Sequence, residues 1–142
     1  MKSEIELHQL VEAIGDAVIV ADRNGAIALW NPAAERIFGF TETEALGRSL
    51  DLIIPERQRE KHWNGYNQTM QTGQTRYATD ILRVPALHKD GQRLSIAFTV
   101  ALLYSAENEV TGIAAVVRDE TTRFKEERDL RKRLEALEAG SG

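Results

Sequence analysis

The feature that most constrains the fold is a change of period near residue 75. Between Asn31 and that point the chain reads as short helical pieces divided by Gly, Asn-Pro and Thr-Glu signals. After it, three long β-branched stretches alternate with a period of two: Thr75 to Val84, Arg93 to Leu103 and Val110 to Arg118. Asp90-Gly91 and Ser105 to Glu109 supply their turns. Asp90-Gly91 is short enough to force an antiparallel pair.

The first half fills in the rest. Ser3 and Glu6 read as a capping box, and Leu7, Leu10, Val11 and Ile14 make an amphipathic helix ending near Gly15. Ala17 to Ala21 and Ala26 to Trp30 read as a hairpin around Asp22-Arg-Asn-Gly25. Asn31-Pro32 caps a helix over Ala33 to Phe38 that Gly39 stops. Thr41 to Glu44 opens a helical turn closed by Gly47, and a polar helix runs from Pro55 to about Met70. Phe124 to Glu138 is charged, with Leu130, Leu134 and Leu137 at four-three spacing. That is a short coiled-coil stripe that needs a partner. The expected class is α+β: a five-stranded antiparallel sheet with short helices on one face, flanked by an N-terminal amphipathic helix and a C-terminal coiled-coil helix. The expected divisions are 1–15 for the first helix, 16–121 for the domain, 122–139 for the last helix, and 140–142 for an appended linker.

Composition narrows the chemistry. The 142 residues carry a net charge of −4 and no basic, aromatic-rich stripe, which speaks against nucleic-acid binding. Apolar runs such as Ile113 to Val117 are too short for a membrane span, and the N-terminus lacks a signal-peptide core, so a cytoplasmic location is expected. The absence of cysteine removes disulfides, thiolate metal sites, cysteine nucleophiles and cysteine-based flavin photochemistry. No Ser-His-Asp set, paired-carboxylate motif, phosphate-binding glycine loop or HExxH string is present, so an enzyme is not expected.

The segments Ala17-Val-Ile-Val-Ala-Asp, Trp30-Asn-Pro-Ala-Ala-Glu-Arg-Ile-Phe-Gly-Phe40, Glu44-Ala-Leu-Gly47 and Lys89-Asp-Gly91, with Asp119-Glu-Thr121 closing the last strand, stand in the order found in the PAS sensor family. The chain resembles that family over roughly residues 5 to 122. Within it, the stretch from Pro55 to Gly91 is most similar to the haem-binding PAS domains of FixL-type oxygen sensors. That resemblance implies haem b held by His62 as the proximal iron ligand, with a diatomic gas (O2, CO or NO) on the opposite side. Two positions depart from the subfamily. Leu82 stands where an arginine contacts bound oxygen, and Gln68 stands where an arginine steadies a propionate. Arg76 occupies a propionate-binding position and keeps a cation there.

Neutral imidazole suits iron, and one strong ligand with apolar walls retains haem. Tyr66 and Met70 follow His62 at four-residue steps and are expected to join it in binding the cofactor. Leu82, Phe98 and Val100 would form the distal wall, with Tyr77 as a possible donor. Trp30 reads as a core or cap residue. Trp63 packs on the ligand helix or lies at a dimer surface, and His8 and His88 are expected to be solvated. Asp119 and Thr121 would tie the last strand to the final helix and pass a signal to an effector outside this chain. A homodimer through the flanking helices is expected. The alternative is a PAS module that binds flavin, another small ligand or nothing, and serves assembly.

Overall fold

The computed structural model describes residues 5–75 and 80–141. In chain order the elements are α1 (Leu7–Ala13), β1 (Ala17–Asp22), β2 (Ile27–Trp30), α2 (Pro32–Phe38), α3 (Glu42–Ala45), a 3-10 turn (Leu50–Ile53), α4 (Glu56–Thr72), β3 (Leu82–Leu87), β4 (Arg93–Tyr104), β5 (Val110–Asp119) and α5 (Thr121–Ser141). The five strands form one antiparallel sheet in the order β2-β1-β5-β4-β3. The expected α+β architecture is the one observed.

Local chemistry sets most boundaries. Asn31 Oδ1 accepts from Ala34 N at 3.0 Å to start α2, Pro32 takes the first helical position, and Gly39 ends the helix at φ 84°. Thr41 and Glu44 form a reciprocal capping box on α3. At α1 the cap is Glu6 alone, whose carboxylate accepts from His8 N and Gln9 N at 3.0 and 2.6 Å; Ser3 lies outside the described residues.

Odd-numbered residues of β1 face the helices, as period two requires. Ala17 and Ile19 join Ile27, Trp30, Ile96 and Val117 from other strands beneath Ala34 and Phe38 of α2, Ala45 of α3 and Ile53. Trp30 keeps its one donor satisfied, Nε1 giving to Phe40 O at 2.9 Å. Asn31, 1% exposed, is the polar centre of this layer. Beyond its cap, it accepts from Val18 N at 2.8 Å and donates to Val11 O and Asp16 O at 3.0 and 3.1 Å. Four hydrogen bonds thus fasten α1, β1 and α2 together.

The third strand departs from expectation. β3 covers Leu82–Leu87 and passes through Pro85, whereas Thr75 to Val84 was expected. A proline removes a ladder donor and is tolerated here because β3 is the sheet edge. The final helix starts at Thr121, earlier than Phe124, and continues to Ser141 through the expected linker. The 3-10 turn before α4 carries no strong sequence signal and was not anticipated.

Candidate functional site

α4 opens on straight-chain polar residues that favour helix, Glu56 to Lys61, and it ends at Gly73 in the left-handed region (φ 70°). Its buried stripe is Trp63, Tyr66 and Met70. Tyr66 and Met70 pack with Ala21 and Val110 in a second cluster, with Leu102, Ile113 and Trp63 around it. The Tyr66 hydroxyl donates to Asp22 O. Burial pushes the Tyr66 phenol up to about 12, and the Asp22 carboxylate adds to the shift. Trp63 Nε1 donates to Asp51 Oδ1 at 2.7 Å, and Arg59 Nε and Nη2 donate to Ile54 O and Asp51 O at 3.0 and 3.3 Å. The indole covers Gly25, which takes φ 82° in the β1–β2 turn. Three anchors therefore fix α4 to the turn at the end of β1 and to the 3-10 turn.

His62 flanks that stripe. Its ring meets Trp63 edge-on at 4.6 Å between centroids (80° between planes) and Tyr66 at 5.7 Å (37°). It is half-buried, and Nδ1 is buried without a hydrogen-bond partner. Burial lowers its pKa below the ordinary value, and the Asp51 charge opposes this more weakly. The imidazole is thus neutral at pH 7 and keeps a lone pair for an acidic atom. One turn earlier, the buried Oε1 of Gln58 is equally without a partner.

Across the sheet, Leu82 pairs with Phe98 and Val84 with Ile96, so these residues share the helix-facing side. Leu82, Phe98 and Val100 are half-buried, Phe98 against the main core, while Val84 is 38% exposed. This end of the inner face is apolar and incompletely covered, and none of the four carries a side-chain donor. Arg76 and Tyr77 lie outside the described residues. Gln68 is exposed on α4. Among the described residues no three His, Asp or Glu side chains gather as a metal cluster. A half-buried imidazole that burial favours in its neutral form, together with an incompletely covered apolar wall, fits the donor set of haem.

Two cavities lie elsewhere, at the rim. One of about 390 Å³ is lined by Asp22, Arg23, Ser105 and Glu107, and another of about 580 Å³ by Arg23, Met70, Gly73, Tyr104 and Val110. Neither reaches His62. His8 is exposed beside Glu12 at 3.7 Å. His88 differs from the solvated role expected of it. It packs over Gly39, and its Nδ1 accepts from Asp90 N at 3.1 Å to shape the β3–β4 turn.

The junction to α5 is tightly bonded. Asp119 Oδ1 accepts from Thr121 N at 2.9 Å and Thr121 Oγ1 at 2.5 Å. Thr121 Oγ1 accepts from Ser95 N at 3.0 Å, and Glu120 N donates to Ser95 O at 2.8 Å, which ties the start of α5 to β4. Along α5, Leu130, Leu134 and Leu137 are exposed, as are Leu7 and Leu10 of α1.

The family model for the PAS fold matches residues 5–119. The chain belongs to the PAS family. This PAS domain is 34% identical over 134 residues to an uncharacterized protein of Azorhizobium caulinodans, covering 92% of the chain and 18% of that protein. It is 32% identical to Sensor protein FixL of Bradyrhizobium diazoefficiens, over 96% of the chain and 26% of that protein. With Oxygen sensor protein DosP of Escherichia coli K12 the identity is 25%, over 84% of the chain and 15% of that protein. The chain thus spans about a quarter or less of each relative. Among solved structures, a PAS domain from Colwellia psychrerythraea superposes with TM-score 0.71 at 21% identity, over 82% of this chain and 95% of that one. No helix among the described residues is long and apolar enough to cross a membrane.

Proposed function

We propose that this PAS domain is a sensory input module that binds haem b through His62 and reads a diatomic gas. The observation that carries the reading is the half-buried imidazole of His62, which burial favours in its neutral, ligand-competent form, on the helix that faces the sheet. The likeness to proteins named FixL and oxygen sensor DosP supports it. When bound, haem supplies an iron coordination position for a gas. His62 would hold the iron, and Leu82, Phe98 and Val100 would exclude water from the opposite side. Arg76 would pair with a propionate, and Tyr77 is the candidate donor. Tyr66 and Met70 contribute by holding α4 in place. With Leu82 where a cation would otherwise stand, the wall offers O2 no charge-assisted hydrogen bond, so discrimination against CO and NO is weak.

The signal would leave residues 16–121 through β4 and β5. A shift at Phe98 or Val100 moves the strand that carries Ser95, which is bonded to Thr121. The helix over 122–139 then passes the change to an effector. Its exposed leucine stripe, with that of α1, suits a homodimer. The chain acts as a regulator and not as a catalyst. Reconstitution with haem tests the reading: a stoichiometric complex with an intense Soret band supports it, and a protein that stays colourless with haem in excess overturns it.

A second reading is favoured by the position of the cavities. Both lie at the rim around Arg23, away from His62. A PAS module that binds flavin or another small ligand, or that acts only in assembly, would not need the imidazole. In that case His62→Ala would leave ligand binding and dimerisation unchanged.

A further inference from the structure

Two buried side-chain atoms stand without a partner, Gln58 Oε1 and His62 Nδ1, the only ones among the described residues. They stand four residues apart on α4, where helical geometry places side chains on one face with Cβ atoms about 5–6 Å apart. Long side chains on a helix lean toward its N-terminus, so the imidazole inclines over the turn that carries Gln58. A buried acceptor and a buried ring nitrogen left apart each carry a desolvation penalty, which is removed if they meet.

The start of the helix explains why Gln58 is free. It occupies the third helical position, where a glutamine normally reaches back to the N-cap backbone N–H. The N-cap here is Pro55, which has no N–H, and the end carries no side-chain cap. The Gln58 backbone N donates to Pro55 O at 2.9 Å, so the turn forms without its side chain. The two atoms are not bonded to each other in this structure, but their four-residue spacing puts them on one face of α4, within reach of a side-chain rotation.

We propose that Gln58 is the positioning residue of His62. A side-chain rotation brings its Oε1 to accept the Nδ1–H of the imidazole, which holds the ring as the tautomer whose Nε2 lone pair is free for a ligand. This deepens the haem reading, since a metal-binding histidine needs its other ring nitrogen committed to a donor role. It also stands on its own in the ligand-free protein. Residue type alone does not reveal it, because a glutamine in a polar helix reads as solvated surface. The spacing to His62 does.

The test is the tautomer of His62, read by ¹⁵N NMR of histidine-labelled, haem-free protein at neutral pH. The expected spectrum is that of the Nδ1–H form. In Gln58→Leu, which keeps the bulk and loses the acceptor, the expected result is a shift of most of the population to Nε2–H. Gln58→Glu keeps the acceptor and is expected to retain Nδ1–H. Gln58→Ala serves as a second acceptor-free variant if leucine disturbs the fold. A wild-type Nε2–H signal overturns the proposal and would mean that the amide points its nitrogen inward. An Nδ1–H signal that persists in both acceptor-free variants overturns it equally. With haem, Gln58→Leu is expected to weaken retention about 10- to 100-fold. If haem does not bind at all, the gas-sensing reading fails while the tautomer result stands.

Discussion

Gly25→Ala probes how α4 is held, and with it the placement of His62. Two penalties coincide at this position. Gly25 adopts φ 82°, where an L-residue costs about 1–2 kcal/mol. A Cβ there would also fall well inside van der Waals distance of Trp63 Cη2 and Cζ3. The indole cannot swing away freely, because its Nε1 is bonded to Asp51 at 2.7 Å. Forcing it aside adds about 1–3 kcal/mol of overpacking. The sum is about 2–5 kcal/mol. Gly47 supplies the control: it shares φ 82°, but a Cβ there would meet nothing within 4 Å, so Gly47→Ala carries the backbone cost alone. Urea denaturation of the two variants should therefore differ by about 1–3 kcal/mol. In a Trp63→Leu background the excess at Gly25 should shrink, leaving a coupling energy of about 1–3 kcal/mol. Equal losses for the two glycines, with no coupling to Trp63, would refute the packing described for α4.

Other consequences follow from single contacts. Asn31→Ala removes four hydrogen bonds from a fully buried site and should cost about 3 kcal/mol or more in chemical denaturation, far above an ordinary cap loss of about 1 kcal/mol. Tyr66 binds its proton more tightly when folded than unfolded. Its contribution is therefore fully present below about pH 10 and is lost as pH rises toward 12, and a Tyr66→Phe variant should lack that part of the alkaline stability loss. Thr121→Val leaves Ser95 N without its acceptor and Asp119 with the backbone N–H of residue 121 alone, and should loosen the first turn of α5, read as faster amide hydrogen exchange there with the sheet unchanged. In the haem-loaded protein, Leu82→Arg should raise affinity for O2 relative to CO by about tenfold or more, the scale of one charged hydrogen bond.

Most helix caps and tight turns whose partners lie within four or five residues were legible in the sequence. Asn31-Pro32 and Thr41 with Glu44 mark their helix starts because cap and partner are sequence neighbours. The turn at Asp22 to Gly25 is equally local: Asp22 Oδ1 accepts from Asn24 N and Ala26 N at 2.9 and 3.0 Å. The edge strand was misplaced because Pro85 looks like a terminator unless the sheet order is known. Within the site, sequence placed His62 on a helix, but not the contacts that anchor that helix. Trp63 reaches back to Asp51, and Tyr66 to Asp22. Such pairings depend on how the elements assemble and leave no periodic trace. Nor did the sequence pattern single out Gln58, although its four-residue spacing from His62 was available.

The central claim is that the His62 imidazole itself holds the cofactor. Replacing His62 with glycine opens a space that free imidazole can enter, and haem retention can be followed by absorption during gel filtration with and without added imidazole. The account predicts that His62→Gly elutes without haem and regains it when imidazole is supplied. Retention of haem by His62→Gly with an unchanged spectrum would contradict it.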